Sequence, residues 1–145
     1  MKKARANQSS QNETISISSY SGNGQNVVIP ETIKLDDVTY TVDSISSKAF
    51  EYNTNIKTIT IPSTITEIEK EAFVDCPNLT AIKVSDDNPN YSSQDGALYN
   101  KDKTELIYVP EGLNDISIAN STETIAESAF LNSNISAVKI PDKVK

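Results

Sequence analysis

The sequence predicts a mainly β fold with short helical turns, wound into a right-handed solenoid, because the chain repeats itself. Residues 45–50 recur as residues 68–73, which lie 23 positions later, and again as residues 125–130. Each copy has the pattern I-x-x-x-A-F and leads into an apolar triplet with L-x-x-I-x-I spacing. A period of roughly 20–29 residues with such a strand in every unit is typical of a leucine-rich-repeat solenoid. The triplets are Ile56/Ile59/Ile61, Leu79/Ile82/Val84 and Ile135/Val138/Ile140.

Each unit is predicted to contain a strand and a tight turn. The triplet should form a strand with one buried face, because its apolar residues alternate with polar ones. Pro62 and Pro141 follow two of these strands and should end them, since proline has no backbone N–H to donate. After the Ala-Phe pair we expect one short helical turn, because Pro77 would interrupt a longer helix.

The chain before the repeats is predicted to form a leader and a cap. Residues 1–13 are mostly polar, which predicts a flexible leader. Within residues 14–44, apolar stretches at 15–20 and 27–29 flank a Gly-Asn-Gly turn, and this pattern predicts a hairpin. The hairpin should cap the solenoid, because terminal repeats must cover an otherwise open core.

The leucine-rich-repeat domain is predicted to span residues 14–145, with an insertion inside it. Phe73 and Phe130 are 57 residues apart, which is 34 more than one period of 23. The additional residues fall in 85–110, where two apolar stretches around an Asn-Lys-Asp-Lys turn predict an inserted hairpin rung. The flanking repeats then occupy 45–84 and 111–145.

The C-terminal end is predicted to be truncated. The sequence stops at Lys145, where another unit would begin. Residues 136–140 are predicted to form a strand whose outer edge is unpaired. Because unpaired strand edges template association, we expect either fraying of residues 136–145 or edge-to-edge pairing of two chains through this C-terminal strand.

Composition and charge argue against several classes of function. A net charge of −7 should repel phosphate backbones, so no nucleic acid is expected as a partner. No apolar run approaches the length of about 18 residues that a membrane span needs.

The chemistry-bearing residues predict no catalytic site, metal or cofactor. The chain has no His, the commonest general base and metal ligand. Cys76 stands where Asn53 and Ser133 stand in the other repeats, so we expect it to fill the core. The acidic stretch from Asp86 to Asp95 lacks the ligand spacing of an EF-hand.

The candidate partner-binding residues lie on two predicted surfaces. Between the apolar residues of the strand pattern stand small, polar and basic residues, which should point to the concave face. Binding hot spots favour aromatic residues and Arg, so the tyrosines of the inserted rung form the second candidate patch. The alternative is that these tyrosines pack the hairpin. The candidates are Lys57, Lys83 and Lys139 on the first surface and Tyr91, Tyr99 and Tyr108 on the second.

Two segments resemble the BspA-like leucine-rich-repeat family, also called the Treponema pallidum type. Residues 20–50 contain Y-x-G, V-I-P, Y-x-V-x-x-I and A-F in that order. Residues 88–110, NPNYSSQDGALYNKDKTELIYVP, are similar to the inserted rung of that family. The resemblance covers residues 15–145, because the separate motifs agree in order and register.

The resemblance implies a non-catalytic repeat module of a bacterial cell-surface or secreted protein that mediates protein–protein binding or adhesion. The partner would be a protein, either of the host matrix or of another cell surface. Two alternatives remain at this point. One is a structural spacer or stalk that displays other domains, and the other is the substrate-recognition appendage of a larger enzyme.

Overall fold

The structure, a computed structural model, describes the backbone of residues 3–6 and the whole of residues 13–145. These residues form twelve strands in three sheets and contain no helix, so none of them forms a helix that could cross a membrane. The strands are β1 (Lys3–Ala6), β2 (Thr14–Ser19), β3 (Asn26–Val28), β4 (Thr32–Leu35), β5 (Val38–Ile45), β6 (Thr58–Ile61), β7 (Glu67–Ile68), β8 (Ala81–Val84), β9 (Tyr91–Gln94), β10 (Ala97–Asn100), β11 (Glu105–Tyr108) and β12 (Thr124–Ile125).

Equivalent positions of successive repeats pair as parallel strands. In one sheet β3, β6 and β8 lie side by side, with Val27 opposite Ile59 and Ile59 opposite Ile82. A second sheet places Ile17 opposite Ile45 and Ile45 opposite Ile68. The apolar residues of these ladders are buried where they alternate with polar ones. The repeat period therefore appears in the fold as a backbone ladder.

The predicted N-terminal capping hairpin of residues 15–20 and 27–29 is wrong. β2 belongs to the second sheet and β3 to the first, so the two strands are not partners. Each pairs in parallel with a strand further along the chain, because its buried residues stack on those of the adjacent repeat. The antiparallel hairpin in this region is β4–β5, whose turn residues Asp36 and Asp37 have φ of 50° and 65°.

Most of the predicted flexible leader, residues 1–13, lies outside the described residues. The exception within it is β1, which pairs antiparallel with β2 from Lys3 opposite Ser19 to Ala6 opposite Ile15. Residues 3–6 therefore extend the second sheet.

The inserted segment builds the third sheet. β9 and β10 are antiparallel around Asp95 and Gly96, which both have positive φ. β10 then pairs antiparallel with β11, and β11 pairs in parallel with β12. A side chain at Gly96 would approach the Thr80 carbonyl to 2.7 Å, so glycine is needed there for both its conformation and its size.

The short helical turns predicted after each I-x-x-x-A-F copy are overlapping β-turns instead. In the second copy, the Ala72 amide donates to the Glu69 carbonyl at 3.2 Å, and the Val74 amide donates to the Glu71 carbonyl at 3.3 Å. Glu71 has a φ of 61°. A left-handed residue cannot continue a right-handed helix, so the turn reverses there. The equivalent residues of the other copies are also left-handed, Lys48 at 58° and Ser128 at 67°, and so are the residues two positions after each Phe: Tyr52 at 61°, Asp75 at 60° and Asn132 at 58°.

The predicted C-terminal strand at residues 136–140 is also wrong, because these residues do not form a strand. The first ladder ends at β8, where the inserted segment takes the strand edge: the Ile82 amide donates to the Gly96 carbonyl at 2.8 Å. Without a ladder there is no unpaired C-terminal strand edge of the kind expected to drive self-association.

Rings form a column through the core. Phe50 and Phe73 stack with centroids 5.8 Å apart, Tyr20 lies 5.6 Å from Phe50, and Tyr108 lies 6.1 Å from Phe73. Phe130 is the phenylalanine of the third I-x-x-x-A-F copy. It is only partly buried, in a second cluster beneath Ile116 and Ile118.

We expect Phe73→Ala to lower the free energy of unfolding by about 3–5 kcal/mol, the usual cost of truncating a buried Phe. The Phe73 side chain is 2% exposed and contacts rings on both sides. Phe130→Ala should cost clearly less, because Phe130 is half-buried. Urea denaturation measures the free energy of unfolding of both variants. Equal losses would contradict the special contribution of Phe73 to the ring column.

Lys48→Asn should raise stability by about 0.5 kcal/mol, whereas Lys48→Val should lower it by about 1 kcal/mol, because asparagine tolerates a left-handed backbone and β-branched residues do not. The matched control is the same pair of substitutions at Lys57, an exposed lysine without a positive φ. Urea denaturation of the four variants tests this. If the Asn and Val variants differ in free energy of unfolding by the same amount at both positions, backbone conformation is not the cause of the difference at Lys48.

Candidate functional site

A groove of about 660 Å³ opens beside the inserted rung. One wall is the turn at residues 69–72, and the other is the equivalent turn at residues 126–129. In a regular solenoid, the turn of each repeat lies next to an equivalent turn of the adjacent repeat. The two walls of the groove are equivalent turns of this kind, from the second and third I-x-x-x-A-F copies. Here the rung between them differs, and that difference makes the groove.

The inserted rung has a shorter connector than its neighbours. The Phe50 amide donates to the Ala72 carbonyl at 3.2 Å, and the Val109 amide donates to the Ala129 carbonyl at 2.9 Å, so Phe50 and Val109 occupy equivalent positions. Five positions separate Ile45 from Phe50, but only three separate Leu106 from Val109. The inserted rung thus lacks two residues of the projecting turn, which leaves space between the turns on either side.

The floor of the groove is apolar. Phe73 and Leu98 are buried, and Ile107 is half-buried beside them. Tyr91 and Tyr108 also line the groove, and the Tyr91 hydroxyl accepts a hydrogen bond from the Ile68 amide at 2.9 Å. The accessible carbon surface of the floor therefore comes from the half-buried Ile107 and Tyr91, which lie over the buried Phe73 and Leu98.

The rim of the groove is charged and mostly acidic. Glu69, Glu71, Glu105 and Glu127 line it together with a single cation, Lys70. The Glu69 carboxylate accepts a hydrogen bond from the Ser47 amide at 2.7 Å. Among the described residues, neither the Glu71 nor the Glu105 carboxylate has a hydrogen-bond partner or ion pair.

An ion pair joins the two walls. The Lys70 ammonium lies 2.6 Å from the Glu127 carboxylate, and these residues are 57 positions apart, as Phe73 and Phe130 are. The hydrogen bond and the opposite charge raise the pKa of Lys70 and lower the pKa of Glu127. Both side chains are exposed to solvent, so the pair contributes little to stability. A second contact of the same spacing, from the Asn132 amide group to the Asp75 carboxylate at 3.3 Å, lies further along the same turns.

A buried polar cluster supports the groove from below. The Glu111 carboxylate, 4% exposed, accepts hydrogen bonds from the Asp75 amide at 2.7 Å and from the Tyr108 hydroxyl at 3.2 Å. Burial and the Glu111 charge raise the pKa of Tyr108 well above its ordinary value. The Cys76 thiol donates to the Phe50 carbonyl at 3.0 Å. These bonds fix the floor and leave Cys76 inaccessible, as expected of a residue that fills the core.

Comparison with known proteins decides the family. A family model described as the BspA type leucine-rich repeat region matches residues 25–145 in six copies. The chain belongs to this family. No curated protein sequence matches the chain.

Solved structures share the BspA-type fold of this chain. A leucine-rich repeat protein from Eubacterium ventriosum is 30% identical over 71% of this chain and 28% of its own, with a TM-score of 0.60. One from Bacteroides ovatus is 23% identical over 99% of this chain and 35% of its own, with a TM-score of 0.62. The Treponema pallidum leucine-rich repeat protein is 22% identical over 98% of this chain and 60% of its own, with a TM-score of 0.58. This BspA-type chain thus spans about a third of the length of the first two proteins.

The predicted tyrosine patch is not a surface. Tyr99 is 0% exposed, and its hydroxyl accepts a hydrogen bond from the Ala119 amide at 3.1 Å. Tyr108 is buried in the ring column. For these two residues the alternative, that they pack the inserted hairpin, describes the structure. Tyr91 is half-buried at the groove, where part of its ring remains accessible.

The three candidate lysines are exposed but do not line the groove. Lys57 precedes β6, and Lys83 lies in β8 opposite Thr60. Lys139 borders a separate depression of about 190 Å³ with Ile116, Ile118 and Pro141. They remain a predicted contact surface, distinct from the groove.

Sequence reasoning missed the groove and its rim. The signal was present in the spacing, because the stretch after Leu106 lacks the Ala-Phe pair that follows Ile45, Ile68 and Ile125. A rung without that pair has no projecting turn. The width of the gap could not be obtained from the sequence, since it depends on how the neighbouring turns pack.

Burial of Cys76 predicts an alkaline loss of stability. Burial, followed by the charge of Glu111, raises the pKa of Cys76 from 9.0 to about 12. The folded state therefore disfavours the thiolate. The contribution of the buried thiol to the free energy of unfolding is complete below pH 9 and should fall as the pH rises toward 12. Between pH 9 and 10, below the ordinary pKa of tyrosine, the unfolding free energy of the parent chain should decline more steeply than that of Cys76→Ala, by at most about 1.4 kcal/mol per pH unit. Equal slopes in urea titrations at the two pH values would contradict this account.

Proposed function

We propose that this chain is a non-catalytic binding module of a bacterial cell-surface or secreted protein, and that it mediates protein–protein contact or adhesion. The observation that carries the proposal is the groove: it is open, its floor is apolar, and its rim is charged. Concave sites of a few hundred Å³ with an apolar lining and a few polar groups are the usual form of binding sites. Membership of the BspA-type family supports the cell-surface placement.

The module would act as one part of a longer right-handed solenoid. The parallel ladders with a 23-residue offset support this, because they stack one repeat directly on the next. In this arrangement residues 14–44 cap the repeats, 45–84 and 111–145 are repeats, and 85–110 are the inserted rung. The solved relative from Faecalibacterium prausnitzii is called a leucine rich cell surface protein.

A non-catalytic role is favoured by the residues of the site. The chain contains no His, and its single thiol is buried with a raised pKa. A nucleophile needs an adjacent base or a lowered pKa. The groove carboxylates accompany apolar side chains and one ammonium group, which suits recognition of a partner.

A spacer role is the second candidate, and the β-ladder face favours it. The outward positions there are small or polar, as at Thr58, Thr60 and Lys83, without an aromatic anchor. A spacer would bind no partner through this segment. The same experiment distinguishes the two roles.

The test immobilises the 145-residue chain and measures binding of purified extracellular-matrix proteins by interferometry. We expect at least one of them to bind, and we expect Ala126→Trp or Leu131→Trp to weaken it about tenfold or more, because both residues line the groove. Each variant is first checked for an unchanged thermal midpoint.

The matched control is Thr80→Trp, which adds the same bulk at an exposed position outside the groove. It should leave binding unchanged. Absence of binding to every matrix protein would favour the spacer. Loss of binding in Thr80→Trp but not in the two groove variants would move the site to the β-ladder face.

A further inference from the structure

We infer that the groove accepts an extended protein segment in which a Lys or Arg side chain stands next to an apolar side chain. This inference rests on the proposed binding function and specifies the chemistry of the partner. It follows from the volume of the groove, from the different character of its floor and rim, and from the ion pair across its mouth.

The volume indicates a segment and not a folded domain. A cavity of about 660 Å³ is within the range of roughly 300–1,000 Å³ that encloses a ligand of drug size. Such a space takes two or three side chains of an extended strand. The walls are equivalent turns that follow strands paired in parallel, so the gap between them suits a chain laid along it.

The rim selects positive charge. Four carboxylates line the rim with one ammonium group, and two of those carboxylates, on Glu71 and Glu105, make no hydrogen bond or ion pair among the described residues. The whole chain carries a net charge of −7, which adds a long-range attraction for cations. Complementary charge at a rim increases association and rejects partners of the wrong sign. An acidic segment would meet repulsion at the same place.

The floor selects an apolar neighbour for that charge. Ile107 and Tyr91 are half-buried and Leu131 is 37% exposed, so these lining side chains present carbon surface that an occupant can cover. A polycation without apolar residues would leave this surface in contact with water. Affinity should therefore need both kinds of side chain, since apolar burial supplies most of the favourable free energy.

The Lys70–Glu127 ion pair predicts whether each of two substitutions strengthens or weakens the binding of a basic segment. The pair is exposed and crosses from one wall to the other, so an incoming Arg or Lys can take the place of Lys70 at the Glu127 carboxylate. Lys70 is then a competitor of the guest for Glu127. Its removal should strengthen binding of a basic segment, whereas removal of the Glu127 charge should weaken it.

The experiment uses the 145-residue chain and fluorescein-labelled nine-residue peptides in polarisation assays at low and physiological salt. The probe peptide alternates Arg and Leu between Gly-Ser ends. One comparison peptide replaces Arg by Glu, and another replaces Leu by Ser. We expect the probe to bind and each comparison peptide to bind at least about tenfold more weakly.

Charge variants of the chain test the rim. Glu71→Gln combined with Glu105→Gln should weaken the probe about tenfold, Glu127→Gln should also weaken it, and Lys70→Gln should strengthen it about threefold. The matched control is Asp36→Asn combined with Asp37→Asn, which removes the same charge from the exposed β4–β5 turn. That control should leave the dissociation constant within about twofold of the parent value.

Three results would overturn the inference: equal binding of the Arg and Glu peptides, equal weakening by the Asp36/Asp37 control, or weaker binding in Lys70→Gln. The matrix-protein assay separates this inference from the proposed function. If a matrix protein still binds Glu71→Gln/Glu105→Gln as tightly as the parent, the binding function stands and the basic-segment inference is wrong. If the probe binds as expected and no matrix protein does, the inference stands and adhesion to matrix is wrong.

Discussion

The structure depends on one constraint, which is that equivalent backbone positions of successive repeats pair in parallel. Ile17, Ile45 and Ile68 stand side by side in one sheet, and Val27, Ile59 and Ile82 do so in another. The same register brings Phe50 onto Phe73 and leaves a narrow core of aliphatic side chains and a few rings. Where the register is kept, the turns also repeat, down to the left-handed residue before each Ala. Where it is broken, at the inserted rung, the groove appears.

The sequence carried the period and the buried face of each ladder, because these follow from apolar spacing, and the motifs of residues 20–50 and 88–110 carried the family. It did not carry the partners of β2 and β3. Apolar alternation shows that a strand has a buried face, but it does not show which neighbour completes the ladder. The sequence predicts the hairpin turn at Gly22 and Gly24. In the structure the hairpin turn lies at Asp36 and Asp37, where two aspartates accept a left-handed backbone.

Two further differences have the same kind of cause. A helical turn was expected after each Ala-Phe pair, but Tyr52, Asp75 and Asn132, two residues after each Phe, have a positive φ that ends a right-handed turn there. For the site, the sequence indicated which aromatic residues lie in the inserted rung but not their burial. Tyr99 and Tyr108 use their hydroxyl groups inside the protein, so aromatic content overstated the accessible surface. The groove itself arises because the connector of the inserted rung is two residues shorter than that of the other repeats. No motif marks such a shortening.

The short connector of the inserted rung separates the chemistry of the site from the stability of the fold. Glu69, Lys70 and Glu127 are exposed on turns whose backbone bonds hold the ladder, and their side chains contribute little to the core. Their identities can therefore change without disturbing the isoleucine column beneath them. A lineage could vary these three positions to follow a changing partner, much as an antibody varies its loops over a constant framework, and it could do so one wall at a time because each wall belongs to a different repeat.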